Sequence, residues 1–381
     1  MGKIFQYIIF LFFIISIGYG YLKITKTAAQ IIPVPYELPQ EPEAELKNIE
    51  KAVILLIGDH SGEILKPAYA RIFKHLSQQF KDQIKVFDWT RPNEGIHRTL
   101  HKIQQLKKLP PIVIYMGGSS EFYEKLFNLS DISTINENFK KFKNPKIKSL
   151  VMLSKYIGQL IYGPLKLTKL ENQPVSWRSE LLKYAKESGT NAQSIYEIQY
   201  MLFKNLFQEL VSHIKFNGSN LITITVPIKV TTPPNFVCEN ATSESIIDFQ
   251  LSLNKALEKN QTKKYFSMAK NLTFASVGNA KSFYLFAQYN ESLGRVKNAL
   301  FNYRLAHTFD CLQDRSNMIL NKIIKDTSNK YGINFFDFDE LVHQDFGVDF
   351  VFLDHFRPQE KYIIEIEKML TDKIDILLNN L

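Results

Sequence analysis

The hydrophobic positions fall into short continuous runs separated by stretches of helical period. "AVILLIG", residues 52 to 58, is an unbroken apolar run that stops at Gly58-Asp59. Such a run, bounded by a turn signal, reads as a strand buried on both faces. "ILKPAYARIFKHLSQQF", 64 to 80, spaces its apolar residues as a helix does. A second strand is expected at 83 to 89, a second helix at 95 to 108, and a third buried strand at 110 to 118, ending in a Gly pair. Strand, helix, strand, helix, strand predicts an α/β domain with a parallel sheet covered on both faces.

The pattern then changes. Residues 120 to 215 are mostly of helical period, including "SIYEIQYMLFKNLFQELVSHI" at 194 to 214. "NLITITVPI", 220 to 228, is rich in β-branched residues and reads as a fourth strand. Helical periods return over 244 to 305, where "ALFNYRLAHTF" resembles one arm of a helical hairpin. "INFFDFDELV", 333 to 342, reads as a fifth strand, and a loop at 349 to 362 leads into a helix reaching about residue 379. The expectation is one domain over 51 to 381 with helical insertions at about 120 to 215 and 240 to 305.

The N-terminus differs from the rest. Residues 4 to 22, "IFQYIIFLFFIISIGYGYL", carry no charge and are just long enough to span a bilayer as a helix. The reading is an uncleaved signal anchor over 1 to 24. A cleaved signal peptide, with Ser16-Ile17-Gly18 as a weak cleavage site, is the alternative. Lys3 lies on one side, Lys23 and Lys26 on the other, so charge specifies orientation only weakly. The folded part is expected outside the cytoplasm. Residues 25 to 50 hold four prolines and five glutamates, the composition of a semi-rigid spacer, with a helix start in "EAELKNIEK".

Composition excludes some functions. The formal net charge is +9, but the lysines are spread along the chain and form no concentrated basic face, so nucleic-acid binding is not expected. Cys238 and Cys311 are too few for a disulfide framework and lack metal-ligand spacing. One bridge or two free thiols are both open. His97 and His101 stand four apart on a predicted helix, a possible metal pair, but no Glu follows His97. A solvated helix face is the favoured reading there, and no metal or cofactor is expected. Asn128, Asn240 and Asn271 begin glycosylation sequons.

Three loops follow the strand pattern at matching places. "GDHS" follows the first strand, "GSSEF" the third, and "DHFRP" precedes the last helix. Loops at the carboxyl ends of parallel strands converge where ligands bind. With Pro233-Pro234 after the fourth strand and "GRxxxALxxYRxAxxxDxxxxR" from Gly294 to Arg315, this layout resembles the SGNH, or GDSL-type, esterase family. The likeness is closest to the branch with helical-repeat-like insertions, and it implies a three-layer parallel-sheet fold.

The resemblance also assigns roles. The family's nucleophilic serine falls on His60 and its oxyanion glycine on Gly95. Its oxyanion asparagine falls on Ser120. In the last block Asp354 is kept, and the general-base histidine falls on Arg357. An arginine cannot accept a proton. Losing one oxyanion donor costs on the order of 10²-fold or more, and losing nucleophile or base removes nearly all of the chemical advantage. A neutral histidine can be nucleophilic, but Arg357 cannot activate one. The resemblance therefore implies a non-catalytic envelope protein binding a glycan, a lipid or a protein partner. An anionic group near His60 and Arg357 is one such ligand. A displaced triad of Ser61, His355 and Asp354, giving an active hydrolase or acyl transferase, is the alternative. A scaffold acting through its insertions is the third reading.

Overall fold

The computed structural model describes residues 36–79, 84–127, 192–234, 280–310, 315–347 and 350–380, and short pieces near 7–17, 129–132, 168–169 and 179–184. The chain divides into two compact units. One comprises 1–39 and 125–171, the other 40–124 and 172–381. In the first unit Phe10–Ile17 are helical and exposed, and Tyr36–Glu37 pair in parallel with Thr168–Lys169. Among the described residues no helix is long and apolar enough to cross a membrane. Most of the expected span over 4 to 22 lies outside those residues, as do most of 128–191 and 235–279, Cys238, Cys311 and the three sequon asparagines.

The second unit carries a five-stranded parallel sheet. Its strands are β1 (Ile54–Gly58), β2 (Val86–Asp88), β3 (Ile112–Met116), β4 (Asn220–Ile224) and β5 (Asn334–Phe336). They lie in the order β2-β1-β3-β4-β5. The helices are α1 (Glu43–Ile49), α2 (Lys66–Gln79), α3 (Ile96–Gln104), α4 (Ala192–Phe216), α5 (Ala280–Ser292), α6 (Val296–Thr308), α7 (Met318–Tyr331), α8 (Phe338–His343) and α9 (Glu360–Leu378). All five residues of β1 and of β3 are buried, because both faces of the sheet are covered.

Alternation along the strands sends side chains to opposite layers. Ile54, Leu56, Ile112, Ile114, Ile222 and Ile224 join one core, packed with Leu65, Ile72 and Leu76 from the α2 side and Ile363, Ile366 and Leu370 of α9. On the other face Tyr115 packs on Phe207 of α4, with ring centroids 5.2 Å apart. Thr223 Oγ1 pairs with Ser328 Oγ of α7 at 2.7 Å. The result is a three-layer α/β arrangement. The strand order reverses between β1 and β3, so the loops after these two strands face a common crevice.

The expected elements that fall on described residues recur with one correction, and most of the helical insertions expected at about 120 to 215 and 240 to 305 lie outside those residues. Residues 333–342 do not form one strand. The strand ends at Phe336, and the Asp337 carboxylate caps α8 by accepting the Glu340 N–H at 3.3 Å. This local capping bond overrides the apolar alternation. The helix start expected in "EAELKNIEK" is α1, whose Ile49 is buried. Arg91 ties this segment to the loop after β2 through Glu41 at 2.9 Å and Glu45 at 3.0 Å. The expected helical hairpin is α5 with α6, where Tyr284 meets Tyr303 edge to face. Ala287, Ala299 and Tyr303 form a small core with Ile228 and Phe346.

A buried ion pair stands behind the loop after β2. Lys102 Nζ lies 2.8 Å from Glu94 Oε1, donates to the Trp89 carbonyl at 2.7 Å and sits over the Trp89 ring. Burial raises the Glu94 carboxyl and lowers the Lys102 ammonium, each offset by the other's charge. Removing one partner strands the other, so Lys102→Met is expected to destabilise the fold by ~3–5 kcal/mol. Pairing it with Glu94→Leu should recover most of that loss, as measured by denaturant unfolding of the single and double variants.

Candidate functional site

The site begins at Gly58. Its φ of 126° is open to glycine, and a Cβ there would lie 2.0 Å from the Met116 carbonyl oxygen of the paired strand. The chain can therefore turn at the end of β1 while staying against β3. Asp59 follows, fully buried. Its Oδ1 accepts the Ser61 N–H at 2.8 Å and starts a 3-10 turn over His60–Leu65. Its Oδ2 accepts the N–H groups of Gly118 at 3.1 Å, Ser119 at 2.6 Å and Ser120 at 2.8 Å. One carboxylate thus fixes the loop after β1 to the loop after β3.

The serines are placed by this clamp. Ser61 Oγ is buried and lies 2.6 Å from Ser119 Oγ. Ser120 Oγ, also buried, lies 3.3 Å from His60 Nδ1. A pocket of about 30 Å³ opens beside them, lined among others by His60, Ser61, Ser119, Lys229, Arg315 and His355. It has room for little more than water.

The last loop closes on itself. Asp354 accepts the Phe356 N–H at 2.9 Å, the Arg357 N–H at 2.7 Å and the Arg357 Nε–H at 2.6 Å. Burial pushes the Asp354 carboxyl up, but these backbone bonds and the Arg357 guanidinium outweigh it and hold it below the usual carboxylate range. Arg357 is 65% exposed and does not line the small pocket. His355 does line it, yet no hydrogen bond joins it to Ser61 or to Asp354 among the described residues. Of the expected positions, His60 and Ser120 meet, Asp354 and Arg357 meet, and these two pairs do not form a relay.

Gly95 caps α3 from an extended conformation, and a Cβ there would come within 2.2 Å of Glu124 Oε2. Glu124 reaches over the glycine to accept the N–H groups of His97 at 3.2 Å and Arg98 at 3.1 Å. Glu121 accepts that of Ile96 at 3.0 Å. The N–H groups of Ile96, His97 and Arg98, which open this helix, are thus held by two buried carboxyls. Burial raises both acids. Glu121 is pushed well above its ordinary value, with Glu124 and Asp59 adding to the effect. Glu124 is pushed up to about 7, against the Arg98 charge that lowers it. His97 is held down to about 4 by burial and by the charges of His101 and Arg98. Among the described residues no group of three metal-binding side chains occurs, so His97 and His101 find no third ligand there.

Sequence reasoning located the "GDHS" and "GSSE" loops but missed the Asp59 clamp, the Glu124 cap and the cationic residues Lys229 and Arg315. Glu124 stands three residues after Glu121, which is the only signal the sequence offered for it.

No family model and no curated protein matches the sequence. Two solved structures are similar over most of the chain. One is a candidate acylhydrolase from Bacteroides fragilis NCTC 9343, at 9% identity and a TM-score of 0.34, covering 90% of this chain and 92% of that one. The other is an alpha/beta hydrolase enzyme from the metagenome of Lake Arreo, Spain, at 10% identity and a TM-score of 0.32, covering 85% of this chain and 97% of that one. Likeness at this level does not define a family.

Two predictions follow from the geometry. Asp59→Ala leaves four backbone donors without their acceptor and should cost on the order of 3–5 kcal/mol in denaturant unfolding. Glu124 has its folded pKa raised from 4.5 to about 7, so the folded state holds its proton more tightly. Its contribution is complete below about pH 4.5 and is lost as pH rises through about 7. Glu124→Gln should flatten the stability profile across that window, read by thermal unfolding at stepped pH.

Proposed function

We propose that this chain is a degenerate SGNH-type hydrolase-fold protein that binds rather than hydrolyses. In this reading residues 4–22 anchor it to a membrane and the folded part stands outside the cytoplasm. Its partner is an envelope component such as a glycan, a lipid or another protein. One observation supports the proposal: among the described residues neither Arg357 nor His355 is hydrogen-bonded to His60 or Ser61, and the one serine–histidine contact, Ser120 with His60, has no carboxylate bonded to the imidazole. His60 is bonded to Ser120, Ser61 to Ser119, and Arg357 to Asp354. General-base catalysis needs the base within hydrogen-bond reach of the nucleophile. The parallel sheet and its β1/β3 crevice agree with the family's layout, while function must still be argued from the site.

One observation favours the rival reading. Ser61 and His355 line the same small pocket. Against it, the Asp354 carboxylate is committed to its own loop and does not orient His355. Hydrolysis of a short-chain aryl ester by the full-length protein, beside Ser61→Ala, separates the two. The expected result is no turnover above buffer for either protein. Turnover that vanishes in Ser61→Ala would establish the displaced triad and overturn the proposal.

A further inference from the structure

A second, larger pocket lies next to the blocked crevice. It is an open pocket of about 420 Å³ lined by Lys229, Thr231, Glu291, Phe346, Gly347 and residues 350–352. That volume falls within the ~300–1,000 Å³ of small-molecule sites. Lys229 lines both this pocket and the small one beside His60 and Ser61.

Two charged side chains among the described residues, Lys229 and Glu291, line the larger pocket, and no ion pair joins them. Glu291 accepts the Tyr303 hydroxyl at 2.6 Å. Lys229, half-buried at the end of the β4 loop, makes no ion pair or hydrogen bond among the described residues. Part of the wall is apolar. Phe346 and Phe352 are buried, and both rings pack against the buried His343, at 6.2 Å and 6.0 Å between centroids. Asp339 holds this floor from behind, accepting the Ile228 N–H at 2.9 Å and the Arg304 guanidinium at 3.0 Å. The aromatic wall is therefore built into the core and does not depend on a ligand for its shape.

We propose that this pocket binds a monoanionic amphiphile, with its anionic head on Lys229 and an acyl chain along the Phe346–Phe352 wall. A half-buried ammonium beside apolar surface favours an anionic head that can replace its water. Glu291, which lines the same pocket, disfavours a second negative charge. Aromatic side chains supply most of the burial for the chain. The inference rests on the reading of the protein as a binder and names its ligand class. The head can come from a free fatty acid or from an anionic lipid.

The test is an NMR titration of the full-length protein in phosphatidylcholine nanodiscs, with empty discs as reference and octanoate, octanol and octylammonium as probes. Octanoate should bind at least about tenfold more tightly than octanol, the scale of one charge-assisted contact. Octylammonium should not bind. Lys229→Met keeps the apolar stem and should bring octanoate down to the octanol level while leaving octanol unchanged. Discs containing phosphatidylglycerol separate the sources: octanoate binding falls there if the natural head is a lipid's and holds if it is a free acid's. Equal binding of octanoate and octanol, undiminished octanoate binding in Lys229→Met, or no octanoate binding at all would overturn the proposal. Ester turnover with octanoate binding intact would sink the binding-only reading of function and leave this site standing.

Discussion

Four backbone N–H groups converge on the Asp59 carboxylate, one from its own turn and three from the loop after β3. A buried carboxylate is tolerated only when its lone pairs are filled, and here they are filled by peptide groups rather than by a counter-charge. The consequence is geometric. Two loops that leave neighbouring parallel strands are locked at the one place in the sheet where a crevice must open. The positions of Ser61, Ser119, Ser120 and His60 follow from that lock, as does the small volume left between them. Gly58 serves the same end, since only a residue without Cβ can turn there against the Met116 carbonyl.

The same economy of polar groups recurs around the crevice. Several groups that a hydrolase would keep available are bonded to neighbours. The helix donors beside Gly95 are held by Glu121 and Glu124, the serine hydroxyls are paired, and Asp354 is wrapped by its own loop. Catalysis needs donors and bases that are satisfied only in the transition state. A site whose donors are already satisfied in the resting protein gains little by binding one. Lys229, which makes no ion pair or hydrogen bond among the described residues, lines both the small pocket and a larger, aromatic one.

The sequence exposed the parts of this structure that depend on local pattern. β1 and β3 were legible because both faces of a central parallel strand are buried, which leaves an unbroken apolar run ending in glycine. α4 was legible from its period, and the α5–α6 hairpin from one of its arms. The candidate loops were legible because they follow those strands. What the sequence hid depends on partners far along the chain. Asp59 meets residues 118–120, and Glu124 meets the start of α3, and no local pattern names either partner. Arg357 was expected near His60, yet a carboxylate three residues away captured it. Asp337 likewise converted the end of an apparent strand into α8 by capping it.

The central proposal is that positions resembling those of a serine hydrolase are vacated in this chain. A serine-directed fluorophosphonate, followed by peptide mass spectrometry of the full-length protein, tests it most directly. Phosphonylation requires a serine activated by a base within reach. The account predicts no adduct on Ser61 in the natural chain. It predicts an adduct at position 60 once His60→Ser, Ser120→Asn and Arg357→His are combined. An adduct on Ser61 of the natural chain, lost in His355→Ala, would contradict it.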